Sequence, residues 1–223
     1  MGQDIKLTAS DGFKLGAYRA DPTTKPKGAI VVIQEIFGVN HHIRHVCDRI
    51  AAEGYVAVAP SIFDRVEPGF TSGYSPEEIA VARKFVATPD WPAMLRDTQA
   101  AIDAVKDVGP VGIIGFCLGG SVAYAAATKL SGLKAAVGYY GGAIVRFADD
   151  KPQVPAQLHF GEKDSGIPLG DVETIRAKRP EVEIFVYPGA QHGFSCDERP
   201  SFDKASADLA WPRAMGFFAQ HLT

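Results

Sequence analysis

The chain has 223 residues, of which 46% are hydrophobic and 22% are charged, and its formal net charge is -3. This composition is typical of a globular protein with a substantial core, and the slightly acidic balance argues against a nucleic-acid-binding surface. No apolar run reaches the roughly 18 residues of a membrane span, and the first ten residues lack the apolar stretch of a signal peptide. The three cysteines are too few and too scattered for a disulfide scaffold or a zinc site. We therefore expect a cytoplasmic protein with free thiols that contacts neither membranes nor nucleic acid.

The predicted elements alternate between strands and helices along the whole chain. Two alternating segments flank Ser10-Asp11-Gly12 at the start, a pattern that predicts an antiparallel hairpin. The continuous apolar runs that follow are typical of parallel strands covered on both faces; they are Ala29–Ile33, Val56–Ala59, Val111–Ile114, Ala135–Tyr140, Ala156–Phe160 and Glu183–Tyr187. Helical spacing lies between them, in His42–Glu53, from Ser75 onward, and in Met94–Val105, Leu118–Leu130 and Ala205–His221. The alternation predicts a single doubly wound α/β domain over residues 1–223, with a mostly parallel sheet and helices on both faces.

The stretch Gly115-Phe116-Cys117-Leu118-Gly119 stands where an apolar strand turns into an alanine-rich helix. A residue at so sharp a turn takes a strained backbone conformation, and side chains two positions before and after it would collide, which explains a glycine at both places. The turn exposes the Cys117 side chain above the carboxyl ends of the strands, where open α/β sheets bind ligands. The Leu118 amide can donate to an oxyanion, and the positive end of the helix favours a thiolate. The pattern indicates a nucleophilic cysteine; the alternative is a tight turn with an inert cysteine.

Two further residues complete a candidate catalytic set. Asp164 follows the strand Ala156–Phe160, and His192 follows the strand Glu183–Tyr187. Both turns are expected at the edge of the sheet where Cys117 lies, and the order nucleophile, acid, base is that of α/β hydrolases. A nucleophile of this type needs a base, and the base needs an orienting carboxylate. Taken singly, Asp164 is also explained as a turn aspartate and His192 as a surface-loop histidine.

The segment Gln34-Glu35-Ile36-Phe37-Gly38 ends the first parallel strand and supplies two more candidates. A second oxyanion donor is expected from this loop, and the Ile36 amide is the predicted one. Glu35 has apolar neighbours, so we expect its carboxyl to be poorly solvated, protonated and hydrogen-bonded to Cys117, which would keep the thiol unreactive. A solvated loop glutamate is the alternative.

Several longer stretches together resemble the dienelactone hydrolase family of α/β hydrolases over nearly the whole chain. They are QEIFGVNHHIRHVCDRIAAEGYVAVAPSIF, GFCLGG, GYYGG, GEKD, YPGAQHGF and LAWPRAMGFFAQHL. The resemblance implies an α/β-hydrolase fold, no cofactor, and a Cys117–His192–Asp164 triad that opens a lactone or cleaves a small ester through a thioester. It also implies oxyanion donors at the Leu118 and Ile36 amides. It further implies that Glu35 helps to generate the Cys117 thiolate when substrate binds.

The resemblance also implies a class of substrate. The family's best-known substrates are unsaturated lactones that bear a carboxylate, which the enzymes hold with arginines. The candidates in this chain are Arg83, in the helical region around residues 77–85, and Arg199, a few residues beyond the position just after the catalytic histidine. Tyr139 or Tyr140 in GYYGG fits the tyrosine that lines the substrate pocket of the family. The expected partner is therefore a small ester or lactone that carries a carboxylate.

Other interpretations of the sequence stay open. The fold could serve a non-catalytic ligand-binding protein, or a cysteine-dependent amidotransferase, although the latter has a glutamate two residues after its histidine where this chain has phenylalanine. His41, His42 and His45 lack the H-E-x-x-H pattern of a zinc site, so we interpret them as a solvent-facing helix start and expect no metal. We interpret Cys47 and Cys196, which have no elbow glycines, as bystanders.

Overall fold

The apolar runs all become strands of an eight-stranded sheet in this computed structural model, which describes residues 2–223. The strands are β1 (Gln3–Thr8), β2 (Lys14–Ala20), β3 (Ala29–Ile33), β4 (Val56–Pro60), β5 (Val111–Phe116), β6 (Leu133–Tyr139), β7 (Ala156–Gly161) and β8 (Glu183–Tyr187). Their order across the sheet is β1-β2-β4-β3-β5-β6-β7-β8. β1 pairs antiparallel with β2, β2 pairs antiparallel with β4, and the other strand pairings are parallel. The predicted mostly parallel sheet with an N-terminal hairpin is confirmed.

Within the described residues, seven helices connect the strands and cover both faces of the sheet. They are α1 (His41–Ala52), α2 (Pro76–Phe85), α3 (Trp91–Val105), α4 (Leu118–Lys129), α5 (Ile144–Phe147), α6 (Leu169–Lys178) and α7 (Lys204–His221). α1 and α7 contribute Ile43 and Phe218 to the core on one face, and α3 and α4 contribute Ile102 and Val122 to the core on the other. The sequence patterns do not predict α5 and α6, because α5 is one turn long and α6 has no continuous apolar stripe.

The helix start predicted at Ser75 is confirmed, and it positions α2, which carries Arg83. The Ser75 hydroxyl accepts a hydrogen bond from the Glu78 amide, and the Glu78 carboxylate accepts one from the Ser75 amide. This reciprocal capping box satisfies two amides that a helix start leaves without partners. At the other end of α2, the Phe85 ring packs on Phe70 with ring centroids 4.0 Å apart. Both ends of α2 are therefore held in place.

The turn from β5 into α4 has the strained geometry that its sequence predicts. Cys117 has φ 56° and ψ -116°, a conformation that residues other than glycine rarely adopt. A Cβ atom on Gly115 would overlap the carbonyl oxygen of Gly119, and a Cβ atom on Gly119 would overlap the carbonyl oxygen of Ile33. The turn therefore admits no side chain at either glycine.

Gly115→Ala should destabilise the fold, because the new methyl group meets backbone that cannot move aside. We expect the free energy of unfolding to fall by about 2–3 kcal/mol, as overpacking of a rigid site does. Gly216→Ala in α7 is the matched control, since a Cβ there has nothing within 4 Å; it should gain about 0.5–1 kcal/mol from better helix propensity. Urea unfolding of both variants tests the difference, and equal unfolding free energies would contradict the steric account of the elbow.

Candidate active site

Cys117 is partly exposed and opens onto a cleft at the carboxyl ends of the parallel strands. One part of the cleft, a cavity of about 490 Å³, is lined by Cys117, Asp164 and His192 among others. Cys117 follows β5, Asp164 lies in the turn after β7, and His192 lies in the turn after β8. The parallel strands thus bring side chains from three distant parts of the chain to one edge of the sheet.

His192 and Asp164 are joined by a short hydrogen bond. His192 Nδ1 lies 2.7 Å from Asp164 Oδ2, and the Asp164 side chain is fully buried. Asp164 Oδ1 accepts a second hydrogen bond from the Gly166 amide at 2.9 Å, which fixes the carboxylate. Burial opposes a charge on His192, but the nearby Cys117 sulfur and the Asp164 carboxylate outweigh it and raise the pKa of the imidazole to about 10. The arrangement favours a protonated imidazole beside the sulfur.

Glu35 is buried as predicted, but its partners differ from the expected one. Its Oε1 accepts a hydrogen bond from Arg199 Nη1 at 3.0 Å, and its Oε2 accepts one from the Tyr74 hydroxyl at 3.3 Å. The Arg199 guanidinium places a positive charge against the carboxylate. Both carboxylate oxygens are therefore engaged, and the expected protonated pair with Cys117 is corrected: the ion pair with Arg199 takes its place.

The two amides predicted as oxyanion donors belong to residues that line the cleft beside Cys117. Leu118 is the first residue of α4, where a backbone amide has no acceptor within the helix. Ile36 lies in the loop after β3, and β3 is the neighbour of β5 in the sheet. Amides at these two places can converge on one oxygen atom of a bound ligand.

Three cationic side chains line the cavity that contains Cys117. Arg83 and Arg199, the two arginines singled out from the sequence, are both there, and Lys163 joins them. Sequence reasoning missed Lys163, although its place directly before Asp164 in the same turn was a usable signal. The cluster gives this part of the cleft an affinity for anions.

Tyr139 does not line the cleft. It is buried, its ring stacks on His159 with centroids 4.4 Å apart, and it faces a separate cavity between α1 and α7. Tyr140 is the tyrosine beside the site: its ring centroid lies 5.1 Å from that of His192, and its hydroxyl lies 2.9 Å from Ser195 Oγ. Tyr140 follows the end of β6 and has φ 37°, so strand alternation does not set its direction. The prediction of Tyr139 as a substrate-lining residue is corrected to Tyr140 as the residue near the imidazole.

A second part of the cleft extends from Cys117 in another direction. This cavity of about 290 Å³ is lined by apolar side chains, including Trp91 and Ile167, with Arg146 as well. Trp91 begins α3 and packs edge-on against Phe147, with ring centroids 4.9 Å apart. These residues come from three connections that are far apart in the sequence, and no local pattern predicts that they meet.

Two of the side chains interpreted as unimportant lie next to Glu35. His42 is buried rather than solvent-facing, which corrects the interpretation of the helix start, although His41 and His45 are exposed as expected. Cys196 is also buried, and its thiol donates a hydrogen bond to the Tyr74 hydroxyl at 3.3 Å. His42, Cys196 and Glu35 are close enough for one donor atom of each to lie within 4.8 Å of the others.

Comparisons with known proteins show which sequences and folds the chain is similar to. A solved structure described as a putative dienelactone hydrolase, from Klebsiella pneumoniae, superposes with a TM-score of 0.85, is 32% identical, and covers 99% of both chains. A Synechocystis protein named "putative carboxymethylenebutenolidase" is 38% identical over 100% of both chains. The carboxymethylenebutenolidase of Pseudomonas putida is 31% identical over 97% of this chain and 96% of its own length.

The fold and the elbow cysteine place the protein among the α/β hydrolases. The family model described as "Dienelactone hydrolase family" matches residues 15–222. The chain belongs to the dienelactone hydrolase family, as the sequence resemblance predicts. A search of residues 2–223 finds no helix with the length and apolar character needed to cross a membrane.

The raised pKa of His192 makes the stability of the fold depend on pH in a defined direction. A histidine in an unfolded chain has a pKa of about 6.5. In the folded chain the pKa of His192 is raised to about 10. The bound proton therefore stabilises the folded state fully below about pH 6.5, and this contribution is lost as the pH rises through about 10. We expect the difference in unfolding free energy between the native chain and His192→Gln to shrink over that range in urea titrations.

An NMR titration of the His192 imidazole provides the control for this prediction. Asp164→Asn removes one of the groups that raise the pKa of His192, so the NMR titration of that variant should give a lower pKa for the imidazole. A stability difference that does not change with pH, together with an unmoved midpoint, would contradict the assigned environment of His192.

Proposed function

We propose that this chain hydrolyses carboxylic esters or lactones by covalent catalysis, with Cys117 as nucleophile, His192 as base and Asp164 as the residue that orients the base. One observation carries the proposal: the strained elbow presents Cys117 to the same cavity as an imidazole held by a buried carboxylate at 2.7 Å. Nucleophile, base and orienting acid in hydrogen-bonding succession are what this chemistry requires. The relatives named for carboxymethylenebutenolidase and dienelactone hydrolase support the same reaction class.

The first half of the reaction forms a thioester. His192 holds the proton released by the Cys117 thiol, and the thiolate attacks the carbonyl carbon of the substrate. Negative charge moves to the carbonyl oxygen, which accepts hydrogen bonds from the Ile36 and Leu118 amides. When the tetrahedral intermediate collapses, the bond between the carbonyl carbon and the alkoxide oxygen breaks, and His192 gives its proton to that oxygen. In a lactone the new hydroxyl stays attached to the acyl chain.

The second half of the reaction releases the acid. His192, now neutral, takes a proton from water, and the hydroxide so formed attacks the thioester carbon. The two amides again hold the oxyanion, the carbon–sulfur bond breaks, and Cys117 leaves as the thiolate beside the protonated imidazole. The hydrogen bond from His192 Nδ1 to Asp164 keeps Nε2 directed at the reacting groups throughout.

The cations of the cleft support a substrate that carries a carboxylate. Arg83, Lys163 and Arg199 line one part of the cavity, so an acid group there would meet positive charge. Glu35 already neutralises Arg199, and its proposed role is to position that guanidinium at the cleft wall. The apolar part of the cleft near Trp91 takes the uncharged remainder of the substrate.

The amidotransferase alternative is not favoured by the structure. The position two residues after His192 is Phe194, which is fully buried and packs against the rings of Tyr140 and Tyr187. The carboxylate that contacts the imidazole comes instead from Asp164, on a different loop. An assay of the purified chain with glutamine distinguishes the two functions: an ester or lactone hydrolase should release no ammonia.

Cys117→Ala should abolish turnover of an activated ester such as p-nitrophenyl acetate, because no other group in the cleft replaces the nucleophile. We expect kcat/KM to fall by about a thousandfold or more. Cys47→Ala is the matched control: Cys47 is buried in α1, away from the cleft, and its variant should keep the activity. Retained turnover in Cys117→Ala would rule the mechanism out.

Arg83→Gln should impair substrates with a carboxylate more than neutral ones. We expect kcat/KM for p-nitrophenyl hemisuccinate, relative to p-nitrophenyl butyrate, to fall about fivefold, which corresponds to roughly 1 kcal/mol for an exposed charge pair. Lys84→Gln changes the next residue of α2, which does not line the cavity, and should leave the ratio unchanged. A ratio that responds equally to both substitutions would count against recognition of a carboxylate by Arg83.

A further inference from the structure

The structure leaves one buried imidazole without a hydrogen-bond partner. His42 is 2% exposed, and among the residues that the structure describes neither of its ring nitrogens has a partner. Leaving a buried polar group unpaired is energetically costly, so such groups in folded proteins are nearly always satisfied by protein, water or an ion. A neutral imidazole also offers a lone pair on one ring nitrogen, and this makes His42 a potential metal ligand.

The side chains around His42 supply the other donors of a metal site. One donor atom each of Glu35, His42 and Cys196 lies within 4.8 Å of the other two, and all three residues are buried. Sulfur, imidazole nitrogen and carboxylate oxygen together are the donor set that suits Zn²⁺. In a tetrahedral zinc site with bonds of about 2.0–2.3 Å, ligand atoms are roughly 3.5 Å apart, so donors that lie within 4.8 Å of one another need to approach by at most about 1.3 Å.

We propose that Glu35, His42 and Cys196 form a binding site for Zn²⁺, separate from the nucleophile Cys117. On binding, the Cys196 thiol gives its proton to solvent, and the thiolate, one imidazole nitrogen and one carboxylate oxygen each donate an electron pair to the metal. A water molecule completes the tetrahedron. No electron is transferred. The two anionic ligands offset the charge of the ion, and Arg199, which stays bonded to Glu35, leaves one positive charge beside the site.

The groups already bonded to these ligands are compatible with the metal. Arg199 bonds to one oxygen of Glu35, which leaves the second oxygen for Zn²⁺ after the 3.3 Å contact with Tyr74 is given up. The Tyr74 hydroxyl can then donate to the Cys196 thiolate, from which it is 3.3 Å away. Asp197 Oδ1 lies 3.8 Å from His42 Nδ1, too far for a hydrogen bond as it stands; a small approach would let it accept the Nδ1 proton of a metal-bound His42.

The site would join three separate segments of the fold. Glu35 follows β3, His42 lies in the first turn of α1, and Cys196 lies in the loop that carries His192 and Arg199. A bound ion would tie this loop to the β3–α1 connection. Because Zn²⁺ would bind the folded chain and not the unfolded one, it should raise the thermal midpoint of unfolding.

The test uses the purified full chain, freed of metal with a chelator and then titrated with Zn²⁺ by calorimetry. We expect one Zn²⁺ per chain and a higher thermal midpoint in its presence. Titration with Co²⁺ in place of Zn²⁺ should produce a near-ultraviolet sulfur-to-cobalt charge-transfer band. Cys196→Ser should abolish the band, and His42→Gln should weaken Zn²⁺ binding at least tenfold.

Two matched variants identify the sulfur that binds. Cys117→Ala and Cys47→Ser should both retain the band and the stoichiometry, and the retained binding of Cys117→Ala would separate this site from catalysis. The inference is overturned if the native chain binds no stoichiometric Zn²⁺. It is also overturned if the band disappears in Cys117→Ala instead of Cys196→Ser, because the metal would then be at the nucleophile. Measurements on the native chain alone can rule out the site, so the test does not depend on whether each variant folds.

Discussion

The positive φ of Cys117 is the constraint on which the rest of the cleft depends. It turns the chain so abruptly that α4 begins directly above the end of β5, and the helix then approaches β3 closely enough that a side chain on Gly119 would overlap the Ile33 carbonyl. The same approach brings the Leu118 amide near the loop that contains Ile36. The strained turn thus sets where the Leu118 amide lies relative to the sulfur, whereas the end of β3 places Ile36. Such strain persists only because the surrounding strands and helix leave the chain no other path.

The parallel sheet explains why the side chains proposed for catalysis can be located from one sequence. Each parallel strand ends at the same edge, so a residue directly after β5, β7 or β8 is placed by topology and not by side-chain packing. Cys117 directly follows β5, and Asp164 and His192 lie in the short turns that follow β7 and β8, so strand patterns and turn spacing are enough to locate all three. The same logic places Ile36. The predicted strand boundaries differ from the observed ones by one or two residues. This difference does not change which edge of the sheet the following turn occupies.

The hydrogen-bond partners of individual side chains are less predictable, because several polar groups lie near each one in the folded chain and only some of them form the bond. Glu35 is buried as its apolar neighbours indicate, yet it bonds to Arg199 and Tyr74 rather than to Cys117. Those two partners are 164 and 39 residues away along the chain. Tyr139 shows the same limit at shorter range. It and its neighbour Tyr140 are both buried in the core, but Tyr139 stacks on His159 whereas the Tyr140 ring lies beside His192. Sequence patterns specify faces and edges, whereas hydrogen-bond partners follow from the assembled tertiary structure.

The ion pair between Glu35 and Arg199 connects the charge of the cleft to the chemistry proposed for it. Arg199 is also close enough to Cys117 for the sulfur to affect the pKa of its guanidinium. The carboxylate of the proposed substrate would compete with Glu35 for the same cation if it bound in this cavity. Any weakening of that pair would leave the Glu35 charge without its main partner, in a place where water cannot solvate it. In the proposed reaction, substrate binding and the charge around Cys117 would therefore be coupled through one buried side chain.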